Sequence, residues 1–462
     1  MNKGKKLTPS LPKGFKDRWG KEIILKNKII NSIKEVFINY NFEQLETPEF
    51  EYSSNIGSYL AEDQNNLMSD VFSFSNEKEA LTLRYDLSAP LSRFVAENFR
   101  ELVFPYKRFS LGNVFRQEKS DSARYRSFSQ LDADIIGDAN TSQVDAEIIN
   151  IINDSYLNIG LKSEQFKINI SNKKIILGLL DELKIDKNKQ YSVLKSIDKL
   201  DRLGTKGVKE LLGKGRLDQS GAYFGGCELS SDQSSSILSF LNFKDIKDLK
   251  TNLSNDLSIE GINEIEDLFE TIYISKNLDN VVLDVTKQRG LSYYSGFLVE
   301  TNFNFKIKNS KGKEIAIGAT TSGGRYDNLI SKFKGADYKG SGVSFGIDRI
   351  LYGLNQLNEI EVENKKSVLV CILDPNYIKK YYEIVSQLRN NNIPTEIYLD
   401  KSKNLKKQLQ YADRKKIDLA IICGENEFKN NKITIKYLQG EIGENSKLIP
   451  KENLVDEIKK AI

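Results

Sequence analysis

The stretch Tyr106–Gly137, YKRFSLGNVFRQEKSDSARYRSFSQLDADIIG, constrains this chain more than any other part of it. It alternates with a period of two. Ser110, Gly112, Val114, Arg116 and Glu118 share one parity. After the polar loop Lys119–Arg124, the residues Arg126, Phe128, Gln130, Asp132 and Asp134 share a parity again. Successive side chains on a strand point to opposite faces. The spacing therefore predicts a long antiparallel hairpin. One face is charged (Arg116, Glu118, Gln130, Asp134) and the other is mostly apolar (Phe109, Leu111, Phe115, Leu131, Ile135). A row of charges inside two otherwise core-like strands costs free energy unless something pairs with it. One reading is an edge hairpin with a solvated face. The other is a binding surface. Arginines beside an aromatic, with a carboxylate and an amide four residues apart on the return strand, suit a phosphate, a flat base and an ammonium group.

At 462 residues the chain is too long for one core and points to two or three domains. Its 39% hydrophobic and 29% charged residues are the balance of a soluble globular protein, not of a disordered or membrane-embedded one. The net charge is only +4, which excludes a basic coat for nucleic acid. The charge is unevenly placed, however. Lys365–Ile462 carries 19 Lys and Arg against 13 Asp and Glu, a local +6 that leaves −2 for the remainder. A basic tail on a slightly acidic body suits a module that meets a polyanion, and a merely lysine-rich surface is the alternative.

Cys227, Cys371 and Cys423 have no metal-site spacing and read as reduced thiols of a cytosolic protein. No apolar run reaches the ~20 residues of a membrane span. The opening MNKGKKLTPSLPKG lacks an apolar core, so no signal peptide and no membrane partner are expected. The chain contains no histidine. Its own imidazoles can neither ligate a metal nor move protons, and a zinc site would have to be built from carboxylates and scattered thiols. No metal ligands are assigned.

Along the chain, Glu22–Tyr40 has an apolar stripe at helical spacing, and Phe42–Pro48 reads as a strand stopped by proline. Leu81–Pro90 reads as a strand running into a helix at Leu91–Asn98, with Asp86 or Ser88 able to cap it. Thr141–Asn158 is a helix and Phe166–Ile170 a strand. From about Asn172 to Leu268 the sequence turns helical and lysine-rich, interrupted by the glycine-rich Gly221–Gly226. Val281–Val285 and Phe297–Thr301 are strands. Between them lies Arg289-Gly290-Leu291-Ser292-Tyr293-Tyr294. Ser322–Asp327 reads as a tight turn whose glycines allow positive φ. Gly342–Leu351 places Arg349 inside an apolar run, where a buried arginine needs an anionic partner. After a linker, Ser367–Cys423 has the order βαβαβ, which implies a parallel sheet with helices against it. The ribbon Lys432–Leu438 and the helix Lys451–Ile462 close that module. It has no GxGxxG after its first strand, so it is not a dinucleotide-binding unit.

Phe115–Glu118, the short loop, and then Arg124–Phe128 with Gln130 resemble motif 2 of the class II aminoacyl-tRNA synthetases, in the form of the histidyl-tRNA synthetase family. Four more segments match that family in order: the helix, strand and Pro48 of motif 1, the loop around Asp86 and Ser88, the Arg289–Tyr294 string, and motif 3 around Arg349. Ser322–Asp327 matches a further family string. Ser292 stands where the family string has aspartate, and Ser88 where it has threonine.

The resemblance implies an α+β catalytic domain over residues 1–360 with a mostly antiparallel sheet and a helical insertion at 172–268. An α/β anticodon-binding domain with a mixed sheet follows at 365–462. It implies ATP-dependent activation of L-histidine to histidyl-adenylate, with Mg2+, and transfer to the 3′ end of the histidine tRNA by a homodimer. Arg116 and Arg289 would flank the α-phosphate as catalytic groups. Arg124 and Arg349 would hold the distal phosphates, Phe128 would stack on adenine, and Glu118 would accept from its amino group. Asp86, Ser88 and Gln130 would hold the α-amino group. Asp134 and Tyr294 would read the imidazole, with Tyr293 and Tyr326 shaping the pocket.

The family's motif 2 loop has a proline, and a glycine just before its arginine. Here Ala123 stands before Arg124, where its Cβ disfavours positive φ, and Asp121 adds a negative charge. The chain is therefore expected to depend less on the extra 5′ guanosine of the histidine tRNA than its relatives do. The competing reading is a non-catalytic paralogue that regulates ATP phosphoribosyltransferase. Such proteins lack the C-terminal module and lose motif arginines, and this chain keeps both.

Overall fold

The segments Tyr106–Phe115 and Ser127–Ile136 form the antiparallel hairpin that their alternation predicts. Arg108 lies opposite Asp134, Ser110 opposite Asp132, Gly112 opposite Gln130 and Val114 opposite Phe128. In this computed structural model the described residues are 8–55, 71–75, 79–120, 123–217, 221, 223–275, 278–288, 294–309, 311–315, 317–327, 338–357, 366–400, 404–438 and 446–462. Among them, the hairpin is part of an eight-stranded sheet ordered Glu43–Gln44, Tyr106–Phe115, Ser127–Ile136, Gly340–Gly346, Thr321–Arg325, Phe297–Phe303, Phe166–Asn172, Val281–Leu283. Both hairpin strands have a second neighbour, so the solvated edge-hairpin reading does not hold. Only the two outermost pairings are parallel, and the rest are antiparallel.

The apolar face of the sheet is covered by two helices. Lys21–Asn39 buries Leu25, Ile29, Ile30, Ile33, Val36 and Phe37, a stripe at helical spacing. Phe37 is fully buried, with its ring 5.6 Å from Phe109 and 5.7 Å from Phe345. Tyr156 of the helix Thr141–Asn158 meets Phe345 at 6.0 Å. Each such buried ring or aliphatic chain contributes roughly 1.5–3 kcal/mol. Covering this face commits the polar face to the opposite side.

Three local expectations are corrected. Phe42–Pro48 pairs only at Glu43–Gln44, alongside Arg108 and Phe109. The helix expected at Leu91 starts at Ser88. Pro90 falls in its first turn, where a missing N–H costs nothing. Ser322–Asp327 is no tight turn, because Thr321–Arg325 is an internal strand. Its glycines serve close packing: a Cβ on Gly323 would lie 2.0 Å from the Gly342 carbonyl oxygen.

Between the strands at 166–172 and 281–283 the chain is mainly helical: Lys173–Glu182, Lys187–Ile197, Leu200–Leu212, Ser231–Phe240, Ile246–Asn252 and Asp256–Ser275. The last of these returns to the sheet. Its Glu264 accepts from Asn172 Nδ2 at 2.6 Å and Lys174 Nζ at 2.7 Å, and pairs with Arg325 at 3.0 Å. Arg325 also pairs with the buried Asp145.

Residues 1–361 and 362–462 form two compact units. In the second, the strand order is Thr395–Ile397, Val368–Val370, Leu419–Ile422, Lys432–Tyr437, Ser446–Pro450. The first three are parallel and the last two antiparallel, a mixed sheet. The helices Ile378–Asn390, Leu405–Lys415 and Leu454–Ala461 pack on it. The three cysteines are free and buried. Among the described residues no helix is long and apolar enough to cross a membrane.

Candidate active site

The polar face of the hairpin carries two groups of side chains. At the open end, Arg116 lies against two rings, its guanidinium carbon 4.2 Å from the Tyr85 centroid and 5.2 Å from that of Phe128. Its Nε–H donates to the Tyr85 carbonyl at 3.1 Å. A planar cation is well suited to such aromatic contacts. Beside it, Arg124 Nε donates to Glu118 Oε2 at 2.7 Å, and the Tyr85 hydroxyl reaches Glu118 Oε1 at 3.4 Å. Arg124 is 53% exposed. An ion pair this open contributes little, so Glu118→Ala should change the unfolding free energy in urea by less than about 1 kcal/mol.

At the closed end the charges are buried. Arg108 has no exposed surface, and its Nη2 lies 2.8 Å from Asp134 Oδ2 and donates to the Leu87 carbonyl at 3.2 Å. Asp134 also accepts from the Tyr326 hydroxyl. Burial pushes the Asp134 carboxyl above the usual carboxylate range, and Arg108 and Tyr326 pull it back. Glycines make the room. A Cβ on Gly342 would lie 2.0 Å from Asp134 Oδ1, and one on Gly324 would meet the Tyr294 ring at 3.0 Å. Tyr294 and Tyr326 are both buried.

The N-cap position of the helix that begins at Ser88 is Leu87, and Asp86 just before it serves the first N–H groups. Its Oδ1 accepts from the N–H groups of Ser88 (3.1 Å) and Ala89 (3.0 Å), while the residue remains buried beside the polar face. Gln130 is buried, with Gly346 as its cross-strand partner. Arg349 is half-buried, not sealed in the core. It donates to the Ala319 carbonyl at 2.7 Å, and its stem passes beside Gly346. The buried charge expected there is the neighbouring Asp348, which pairs with Arg18 at 2.5 Å and accepts from Ser129 N–H at 2.7 Å. Arg289 and Tyr293 lie outside the described residues.

The structure thus assembles Arg116, Glu118, Arg124 and Phe128 at one end and Asp86, Gln130, Asp134, Tyr294 and Tyr326 at the other. Ser88 sits half-buried at the helix start. Sequence reasoning missed Arg108, although its parity with Ser110 and Gly112 already placed it on the charged face. Ala123 adopts φ 58° despite its Cβ. The conformational half of the loop expectation therefore fails, at a strain cost of roughly 1–2 kcal/mol, and Asp121 lies outside the described residues.

A family model described as histidyl-tRNA synthetase matches residues 14–350, and one described as an anticodon-binding domain matches 367–461. A histidine–tRNA ligase of Pelagibacter ubique is 55% identical over 465 residues, covering 100% of both chains. The crystal structure of a histidyl-tRNA synthetase from Nostoc sp. PCC 7120 superposes with a TM-score of 0.75 at 25% identity, over 99% of this chain and 100% of that one. A Bacillus halodurans structure, described as an ATP phosphoribosyltransferase regulatory subunit/histidyl-tRNA synthetase, is 20% identical with a TM-score of 0.69 over 88% of this chain and 97% of that one, a likeness of fold alone. On a family match across most of its length and an end-to-end relative at 55% identity, the chain belongs to the histidyl-tRNA synthetase family of class II aminoacyl-tRNA synthetases.

Proposed function

We propose that this protein is a histidine–tRNA ligase whose two small substrates, ATP and L-histidine, are divided along the polar face of the hairpin. The observation that carries this reading is the pairing on one face of a stacked, outward-reaching Arg116 with a buried carboxylate, Asp134, held by Arg108 and Tyr326. The first suits a phosphate and the second an imidazole N–H.

In the first step the histidine carboxylate oxygen attacks the α-phosphorus of ATP and the bond to pyrophosphate breaks. Such a transfer needs positioning and charge neutralisation more than covalent help. Arg116 and Arg289 neutralise the α-phosphate, and Arg124 and Arg349 hold the distal phosphates. ATP would be taken as its Mg2+ complex, the ion adding charge neutralisation on the distal phosphates that Arg124 and Arg349 hold. Phe128 stacks on adenine and Glu118 accepts from its amino group. Asp86, Ser88 and Gln130 hold the α-ammonium. Asp134 and Tyr294 read the imidazole in a pocket shaped by Tyr293 and Tyr326. In the second step the 3′-terminal adenosine of the histidine tRNA takes the acyl group and AMP leaves. Neither step requires an imidazole of the protein.

Residues 1–360, with the insertion at 172–268, are the catalytic domain of this reading, and 365–462 bind the anticodon. The enzyme works as a cytoplasmic homodimer. Histidine-dependent exchange of pyrophosphate into ATP tests the activity. A regulatory paralogue would show none, whereas the retained Arg116 and Arg349 support exchange.

A chain ending at Glu363 should keep histidine activation and lose most of its affinity for the tRNA. Binding by the full chain should weaken steeply with salt, because phosphate contacts release counterions. Filter binding at two salt concentrations, with aminoacylation by the shortened and full chains, reads both. Equal aminoacylation efficiency from the two chains would remove the role given to 365–462.

A further inference from the structure

Asp132 stands between Gln130 and Asp134 on the polar face and has no role in the assignment above. It is 1% exposed, and its Oδ1 has no hydrogen-bond partner among the described residues. The side-chain oxygen of Gln130, two residues away on the same face, is also buried without a donor. Two orphaned acceptors side by side on one strand cost several kcal/mol in a finished core. They mark a place where a donor-rich group is missing. An ammonium group supplies three N–H donors and a positive charge.

We propose that Asp132 is a binding residue for the α-ammonium of the amino-acid substrate, shared with Gln130. This rests on the reading of the hairpin face as the histidine site and extends it by one residue. Every group facing Asp132 fits. Arg108 and Ser110 come from the opposite strand, and Ser344, its cross-strand partner on the other side, bonds its side chain. Asp134 lies on its own strand, and Asp86 and Arg84 approach from the preceding loop. Arg108 reaches Asp134 and the Leu87 carbonyl through Nη2, while its buried Nε and Nη1 have no hydrogen-bond partner among the described residues, and Arg84 donates to the carbonyls of Asn113 and Thr47, each at 2.8 Å. The three carboxylates therefore exceed their local positive charge. Burial, then Asp134, push the Asp132 carboxyl well above the usual carboxylate range, a cost that an arriving ammonium offsets.

The test is calorimetry on the full chain at pH 7. L-histidine is compared with imidazolepropionate, in which the α-amino group is absent. Asp132→Asn should bind L-histidine roughly 10- to 100-fold more weakly, the range for a hydrogen bond to a charged group. Its affinity for imidazolepropionate should stay within about threefold. Equal weakening of both ligands by Asp132→Asn would overturn the proposal by making Asp132 a structural group, and so would an unchanged affinity of that variant for L-histidine while imidazolepropionate still binds. If the wild type binds neither ligand, the assignment of the histidine site itself falls, an outcome separate from either of these.

Discussion

Arg116→Ala should lower the single-turnover rate of histidyl-adenylate formation by a factor on the order of 10² to 10³, the loss seen when one preorganised charge donor is removed from a transition state. The expectation comes from how the side chain is held. Stacking against Tyr85 and Phe128 fixes the plane of the guanidinium, and the Nε–H bond to the Tyr85 carbonyl fixes its rotation. The two terminal nitrogens are then presented as a fork that matches two phosphate oxygens. The positioning cost is met during folding and not at the moment of reaction. Arg116→Lys should recover little, because an ammonium neither stacks as a plane nor bonds bidentately. The side chain is only half-buried, so both variants should unfold in urea near the wild-type midpoint. Adenylation by a folded Arg116→Ala protein within about threefold of wild type, under ~0.7 kcal/mol of barrier, would remove Arg116 from the machinery.

Asp134→Ala should be costly in two ways. It leaves Arg108, which has no exposed surface, without its carboxylate partner. Breaking a buried pair by removing one member typically costs about 3–5 kcal/mol, and the Tyr326 hydroxyl loses its acceptor as well. Urea unfolding reads this loss. The paired substitution Arg108→Leu with Asp134→Ala should be less destabilised than Asp134→Ala alone, because it removes the orphaned charge. If the single and paired variants unfold at the same denaturant concentration, Arg108 is not held by Asp134. The functional cost is separate. Histidine binding should weaken by roughly 10- to 100-fold, as for a lost hydrogen bond to a charged group, while ATP binding survives. Unchanged histidine affinity would make Asp134 a structural carboxylate only.

The contrast between these ends of the hairpin follows from dielectric. Glu118 and Arg124 meet in partly exposed surroundings, where solvent screens the pair. Arg108 and Asp134 make the same kind of contact where neither can fall back on water. One hairpin thus carries an ion pair of small consequence for stability at its loop and another of large consequence ten positions away on its strands.

The amino-acid sequence by itself determined the hairpin, its two faces and its place in the family. Alternation is a local property that a strand cannot escape, and one face here is too apolar to stay in water. The helix Thr141–Asn158 was legible to its ends for the same reason, with Asn140 accepting from the Gln143 N–H as its cap. The Ser322–Asp327 segment was misread because paired glycines signal a turn in isolation, and only the neighbouring strand reveals that they permit close backbone approach. Tertiary structure alone decided which charges meet. Tyr326 reaches Asp134 from 192 positions along the chain, and Glu264 reaches Arg325 from 61. Arg108 finds Asp134 only because the hairpin register sets them opposite each other. Asp132 could be placed on the polar face from parity, but that it is sealed there, with one oxygen unmatched, follows from the strand Gly340–Gly346 closing over its far side. Burial raises the cost of a charge through everything packed around it, and that surrounding is set by the whole fold and not by any one segment.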